Sequence, residues 1–170
     1  MMKKKIVMFL FAALTTLAAS AQGNAEKAFV IDRNTAVVMT DPQNDFLSPH
    51  GKGWGLFGEN ITKNGTVNNL LQIFKIAAEK NMLTFISPHY YYKHDHHWIF
   101  EGPVEKMMHQ NGMFERKGQL TGEGLEGSGA DWLDIYKPYI NNTDLVIVTA
   151  PHKLFGPENN DLILQLRKRG

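Results

Sequence analysis

The 170-residue chain contains no cysteine, so no disulfide holds it together. Charge of one sign is also scarce: 18 Lys and Arg stand against 17 Asp and Glu, and no basic stripe marks out a surface for nucleic acid or anionic lipid. The short basic run Arg167 to Arg169 fits the last turn of a helix, where cations complement the helix dipole. Apolar runs long enough to span a bilayer are lacking as well. The longest, Ile6 to Leu17, is short for a membrane helix and gives way at once to small and polar residues.

That apolar run has a different reading. Lys3, Lys4 and Lys5 precede it and Ala19, Ser20 and Ala21 follow it, which is the basic, apolar and small-residue order of an export signal. Residues 1–21 are expected to direct the chain to the periplasm or outside the cell, with cleavage after Ala21. Residues 22–170 then form one domain carrying 15 basic and 17 acidic residues, with no further membrane contact.

Buried strands are the next feature. Ala36 to Met39 is apolar, and Asp41, Pro42, Gln43, Asn44 and Asp45 follow it. A strand that ends in such a loop places Asp41 where open parallel sheets bind ligands, although Asp, Pro and Asn are also ordinary turn formers. Val67, Leu70, Leu71, Phe74 and Ala78 recur at helical spacing behind Thr66, predicting a helix that ends near Asn81. Met82 to Ile86 reads as a second strand, closed by Ser87 and Pro88. Strand, helix, strand in this order implies a parallel pair joined by a right-handed crossover. Leu145 to Val148 is the third strand.

The intervening segments read as irregular. Residues 47–65 are Gly-rich, with Trp54, Leu56 and Phe57 among the glycines, and are expected to be a lid, a binding loop or a self-packed surface loop. Residues 102–129 show little periodicity, with Met107, Met108, Met113 and Phe114 packing against the domain. Asp131 to Ile140 reads as a brief helix broken by Pro138, and a last helix is expected from about Asn159, with Gly170 beyond its end.

Two clusters carry chemistry. Beyond the second strand, HYYYKHDHHWIF brings together His89, His94, Asp95, His96 and His97, a composition suited either to a divalent metal such as zinc or iron, with His89, His94 and His96 as ligands, or to an aromatic and imidazole pocket wall. Beyond the third strand stand His152 and Lys153, in TAPHKLFGPENNDL.

The pattern of an apolar strand, Asp41, Gln43, Asn44, Asp45 and Phe46 resembles the opening motif of the isochorismatase-like cysteine hydrolases, which include nicotinamidases and related amidases. Gly129, Ala130 and Asp131 resemble that family's Gly, Ala, acid motif, and Phe155 and Gly156 the Phe and Gly that close the lysine loop. The resemblance implies a three-layer α/β/α domain with a parallel sheet, and covalent hydrolysis of a small amide or related bond by an Asp, Lys, Cys triad. It implies Asp41 as general base and Lys153 as the triad lysine, with His152 able to substitute. Gln43, Phe46, His89, His152 and Phe155 would then touch substrate. No cofactor is required by that mechanism. A metal occurs in the nicotinamidase branch, through an Asp, x, His pair and a further His, where here Ser87 replaces the Asp and His89 alone matches.

The family's nucleophile is absent from these residues, and the strand and turn that carry it are expected past Gly170. Two other functions stay open on the residues alone: a metal-dependent hydrolase built on His89 to His97, and a binding module that keeps the Asp41 pocket. A small molecule is the expected partner, and a homo-oligomer is compatible with it.

Overall fold

The computed structural model describes residues 32, 34–96, 98–115, 122–153 and 160–169. The chain divides into two units, Met1–Asp32 and Arg33–Gly170, and the strands and helices among the described residues belong to the second. The export signal, His97, Phe155, Gly156, Asn159 and Gly170 lie outside the described residues. No helix among those residues is long and apolar enough to cross a membrane.

Three parallel strands form one sheet in the order β1-β2-β3: β1 is Val37–Thr40, β2 is Thr84–Ser87 and β3 is Val146–Val148. Val37 pairs with Thr84 and Thr40 with Ser87, while Thr84 pairs with Val146 and Ile86 with Val148. The α/β class and the parallel sheet are those expected from the apolar runs. Each strand starts and ends within two residues of the run that encodes it. Central β2 is buried at all four positions, as a strand covered on both faces must be.

Between β1 and β2 stand α1 (Asn44–Leu47), α2 (Trp54–Lys63) and α3 (Thr66–Glu79). The helix read from Val67 to Ala78 is present as α3, but it begins one residue earlier than a Thr66 cap would place it, with Gly65 as N-cap in the left-handed conformation at φ 59°. Phe74 from its inner face joins Met39, Leu47, Ile86, Tyr136 and Ile140 in one core cluster. Met39 and Ile86 are register partners on neighbouring strands, so this cluster lies against one face of the sheet.

Two segments expected to be irregular are helical. Residues 54–63 form α2 despite Gly55 and Gly58, each of which costs about 1 kcal/mol against alanine in a helix interior. The indole of Trp54, four residues earlier and hence on the same face, lies so close over Gly58 that any Cβ there would meet the ring. Phe57 adds a ring contact to Phe46 at 5.2 Å. Packing thus offsets the poor helix propensity. Residues 103–111 form α4, Pro103–Asn111, opened by a proline in its first turn and stopped by Gly112 at φ 61°. Met108, Met113 and Phe114 are buried with Tyr91 and Ala130 in a second core cluster, and Met107 packs against it.

The third region is shorter than expected. Only Lys137–Ile140 is helical (α5), and Pro138 sits in its first turn, where its missing N–H has no cost, instead of breaking a longer helix. Asp131 organises the turn before it, accepting from Gly127 N at 2.8 Å, from Trp132 N at 2.7 Å and from Lys137 Nζ at 2.8 Å. The last helix, α6, is Leu162–Arg167.

Candidate active site at the carboxyl end of the sheet

The peptide after each strand delivers one polar side chain to a common point. Asp41 follows β1, its N–H donating to Ser87 O at 3.1 Å, so the β1–β2 ladder runs on to this residue. Its φ of 52° is in the left-handed region, which aspartate tolerates better than most residues and which recurs at functional positions.

His89 and His152 follow β2 and β3 and form a parallel bridge with each other. From Ile86 to His89 is three residues, whereas from Val148, the partner of Ile86, to His152 is four. The extra residue is a bulge in the β3 extension, and it re-aims the side chains beyond it. His152, held by donation of its N–H to Pro88 O at 2.9 Å, therefore lies in line with His89, and their rings meet edge to face at 4.7 Å.

Lys153, one residue on, takes the opposite direction, as alternation along an extended segment demands. Its ammonium donates to Tyr90 O at 2.9 Å, forms an ion pair with Asp95 and lies 4.5 Å from the Tyr92 ring centre. The cation of the lysine loop is thus neutralised by Asp95, while the imidazole before it faces Asp41: His152 Nε2 is 3.0 Å from Asp41 Oδ1. Oδ1 is buried and makes no hydrogen bond, because it lies off the direction a ring N–H would need.

The other ring nitrogen of His152, Nδ1, lies 2.9 Å from Ser87 Oγ, which accepts from Asn160 Nδ2 at 2.6 Å. His89 is 2% exposed and its Nε2 has no partner. Burial, followed by the nearby His152, Lys153 and His109, brings its pKa down to about 3, so the ring is neutral near pH 7. One donor atom from each of Asp41, His89 and His152 lies within 4.8 Å of the others.

Gln43 is fully buried. Its Nε2 donates to His89 O at 2.8 Å and to Ala130 O at 2.7 Å, and its Oε1 accepts from His89 N at 2.7 Å. A side chain so committed fixes the backbone of His89. Phe46 is partly buried between the two core clusters, 4.9 Å from the Phe114 ring and 5.2 Å from Phe57.

The structure does not bring His94 and His96 to His89. His94 has a 61% exposed side chain stacked on Tyr92, and His96 lies 3.5 Å from Glu115 and packs on His109. The one metal-competent group among the described residues shares only His89 with the set read from composition. Asp41 and His152 complete it, and the bulge that aligns them left no signal in the sequence.

No protein-family model and no curated protein matches the chain. Solved structures do. A cysteine hydrolase from Pseudomonas syringae pv. phaseolicola superposes with a TM-score of 0.55 at 14% identity, covering 87% of this chain and 61% of its own. A pyrazinamidase/nicotinamidase from Streptococcus mutans superposes with a TM-score of 0.46 at 20% identity, covering 79% of this chain and 65% of its own. The chain therefore spans less than two thirds of either structure. It has the α/β fold of the isochorismatase-like cysteine hydrolases.

Proposed function

We propose that this chain belongs to an exported hydrolase that cleaves a small substrate at an amide or related C–N or C–O bond, with Asp41 accepting the proton of the attacking group. The observation that carries the reading is the convergence of Asp41, His89 and His152 from the ends of all three strands, in a fold otherwise found in a hydrolase. A carboxylate beside an imidazole at 3.0 Å is an acid–base pair within reach of one proton.

In the resembled family the attacking group is a thiol, and a thiol used here would come from outside these 170 residues, which hold no cysteine. Within them the available nucleophile is water. Asp41 takes a proton from that water as its oxygen adds to the substrate carbonyl carbon and passes it to His152 Nε2, 3.0 Å away, which gives it to the leaving nitrogen or oxygen as the C–N or C–O bond breaks. Gln43 keeps His89 in place through the backbone. Lys153, tied to Asp95, acts at the rim. Small amides and carbamoyl compounds, which carry the carbonyl carbon this step needs, are the substrates to try, and residues 1–21 are read as the export signal.

The test is a panel of such compounds offered to the purified chain, with product followed by chromatography. Turnover of at least one, lowered about 100-fold or more by Asp41→Asn in a folded variant, supports the reading. Turnover indifferent to Asp41→Asn, or neither turnover nor saturable binding across the panel, overturns it.

A further inference from the structure

Two atoms in the site are buried and unpartnered: Asp41 Oδ1 and His89 Nε2. Buried polar atoms left without a partner are rare in folded proteins, and two converging on one point with a third ring beside them share a cause. That third ring, His152, brings Nε2 to 3.0 Å from Asp41 Oδ1 without a hydrogen bond between them. With Nδ1 of His152 protonated and donating to Ser87 Oγ, the lone pair on Nε2 faces a carboxylate oxygen. In that tautomer two lone pairs at this separation repel unless a proton or a metal cation lies between them.

We propose that Asp41, His89 and His152 bind one divalent transition-metal ion, with zinc or ferrous iron as the natural occupants. Two imidazoles and one carboxylate with open positions is the ligand set of hydrolytic zinc and non-haem iron centres. Ligand atoms bonded to a common ion at about 2.0–2.2 Å stand roughly 3–4 Å apart, and the three donors here lie within 4.8 Å of one another.

The surroundings are those of a metal site. His152 Nδ1 has Ser87 Oγ as partner, and Ser87 is held in turn by Asn160, whose Nδ2 also donates to Thr149 Oγ1 at 3.2 Å. Such outer contacts fix the tautomer and the ring plane of a ligating histidine. Gln43 clamps the backbone of His89 from both sides. The nearby cation, Lys153, is turned to Asp95. The Asp41 side chain keeps 25% of its surface exposed, leaving a side open to water or substrate.

This inference concerns the same site as the proposed hydrolase and names the ion that site would use. An ion there supplies Lewis acidity beside the reacting bond. Asp41 then contributes one carboxylate oxygen and His152 its Nε2 as ligands, so with the ion bound His152 no longer delivers the leaving-group proton.

The experiment is titration of the chelator-stripped 170-residue chain with Zn2+ by calorimetry and with Co2+ by visible absorption. One ion per chain is expected, with Co2+ bands of a low-coordinate site and a zinc-dependent rise in unfolding midpoint that needs no variant. Asp41→Asn, His89→Gln and His152→Gln should each weaken binding by more than the roughly 10–100-fold that loss of an outer-shell contact brings. The double variant His94→Ala/His96→Ala should leave affinity unchanged. No stoichiometric binding, no zinc-dependent midpoint, or loss of binding on changing His94 and His96 overturns the proposal. Hydrolysis that needs Asp41 but no metal would remove the ion and keep the acid–base reading, whereas tight zinc binding without hydrolysis would do the reverse.

Discussion

Asp41 and His152 lie 3.0 Å apart although the strands they follow, β1 and β3, are separated by β2. Reaching across a strand takes two departures from regular backbone. Asp41 is left-handed at φ 52°, and the β3 extension carries an extra residue before His152. Both devices act on direction: they turn two side chains toward the end of β2, where His89 waits. A sheet edge with these devices and no ligand would hold strain without use, which is why the site draws the functional reading.

Gln43 tests whether a motif residue acts on substrate or on the fold. Its amide group satisfies His89 N–H, His89 O and Ala130 O, all buried. Gln43→Leu would leave these groups unpaired at a cost of about 2–4 kcal/mol, read as a fall in the urea midpoint. Gln43→Glu should also destabilise, because a carboxylate would face two carbonyl oxygens. A substrate-contacting glutamine would instead change KM with stability unmoved.

Asp45 and Gly129 should behave as one unit. Asp45 is 2% exposed, accepts from Lys52 N at 3.0 Å and from Phe114 N at 2.7 Å, and presses so closely on Gly129 that a Cβ there would overlap its carboxylate. Asp45→Ala orphans two backbone donors and is expected to cost about 2–5 kcal/mol. Gly129→Ala should cost about 1–3 kcal/mol by overpacking. The double variant Asp45→Ala/Gly129→Ala should be more stable than the sum predicts, since truncating Asp45 removes the clash. Additive denaturation midpoints would mean that the contact is not where the strain lies.

These residues also show what was legible in the sequence. The three strands were, because each is an apolar run closed by turn formers, and so was α3 from its apolar period of 3.6, although its N-cap is Gly65 and Thr66 is its first helical residue. Helices α2 and α4 were not. In α2 the glycine that argues against a helix is the one on which Trp54 packs, a tertiary contact that local propensity cannot anticipate. In α4 the apolar positions are few, although Pro103 and Gly112 mark its ends and could have been used. Asp41, His89 and His152 were legible as residues just past strands. Their mutual facing was not, because one inserted residue decides whether His152 or Lys153 looks inward.

Tyr136 gives a pH test away from the site. It is fully buried, donates to Val67 O at 3.0 Å and has its pKa pushed up by burial to about 12. The unfolded chain ionises this phenol near pH 10, so between about 10 and 12 the folded form binds more protons. The contribution is full below pH 10 and is lost as pH rises through 12. Tyr91, pushed up in the same direction by its burial and then by Glu105, adds to the same limb. Tyr136→Phe should lower stability at neutral pH by about 1 kcal/mol through the lost hydrogen bond, and make the alkaline fall shallower. An unchanged alkaline slope would show that Tyr136 already ionises normally in the folded protein.

Ser87 separates a ligand from its support. Its hydroxyl accepts from Asn160 Nδ2 at 2.6 Å and lies 2.9 Å from His152 Nδ1, so the side chain holds the ring, while only its backbone carbonyl meets Asp41, through the Asp41 N–H. If His152 binds an ion through Nε2, Ser87→Ala should weaken zinc binding by about 10–100-fold while leaving one ion per chain. It should also orphan the Asn160 amide, which keeps a longer bond to Thr149 Oγ1 at 3.2 Å. Ser87→Thr keeps the hydroxyl and should recover most of the affinity, a rescue that a general loss of packing would not give, because the added methyl enlarges a fully buried side chain. Equal zinc affinity in the wild type and Ser87→Ala would mean that the imidazole is held by its bulged backbone alone, and the serine contact would then lose its place in the site.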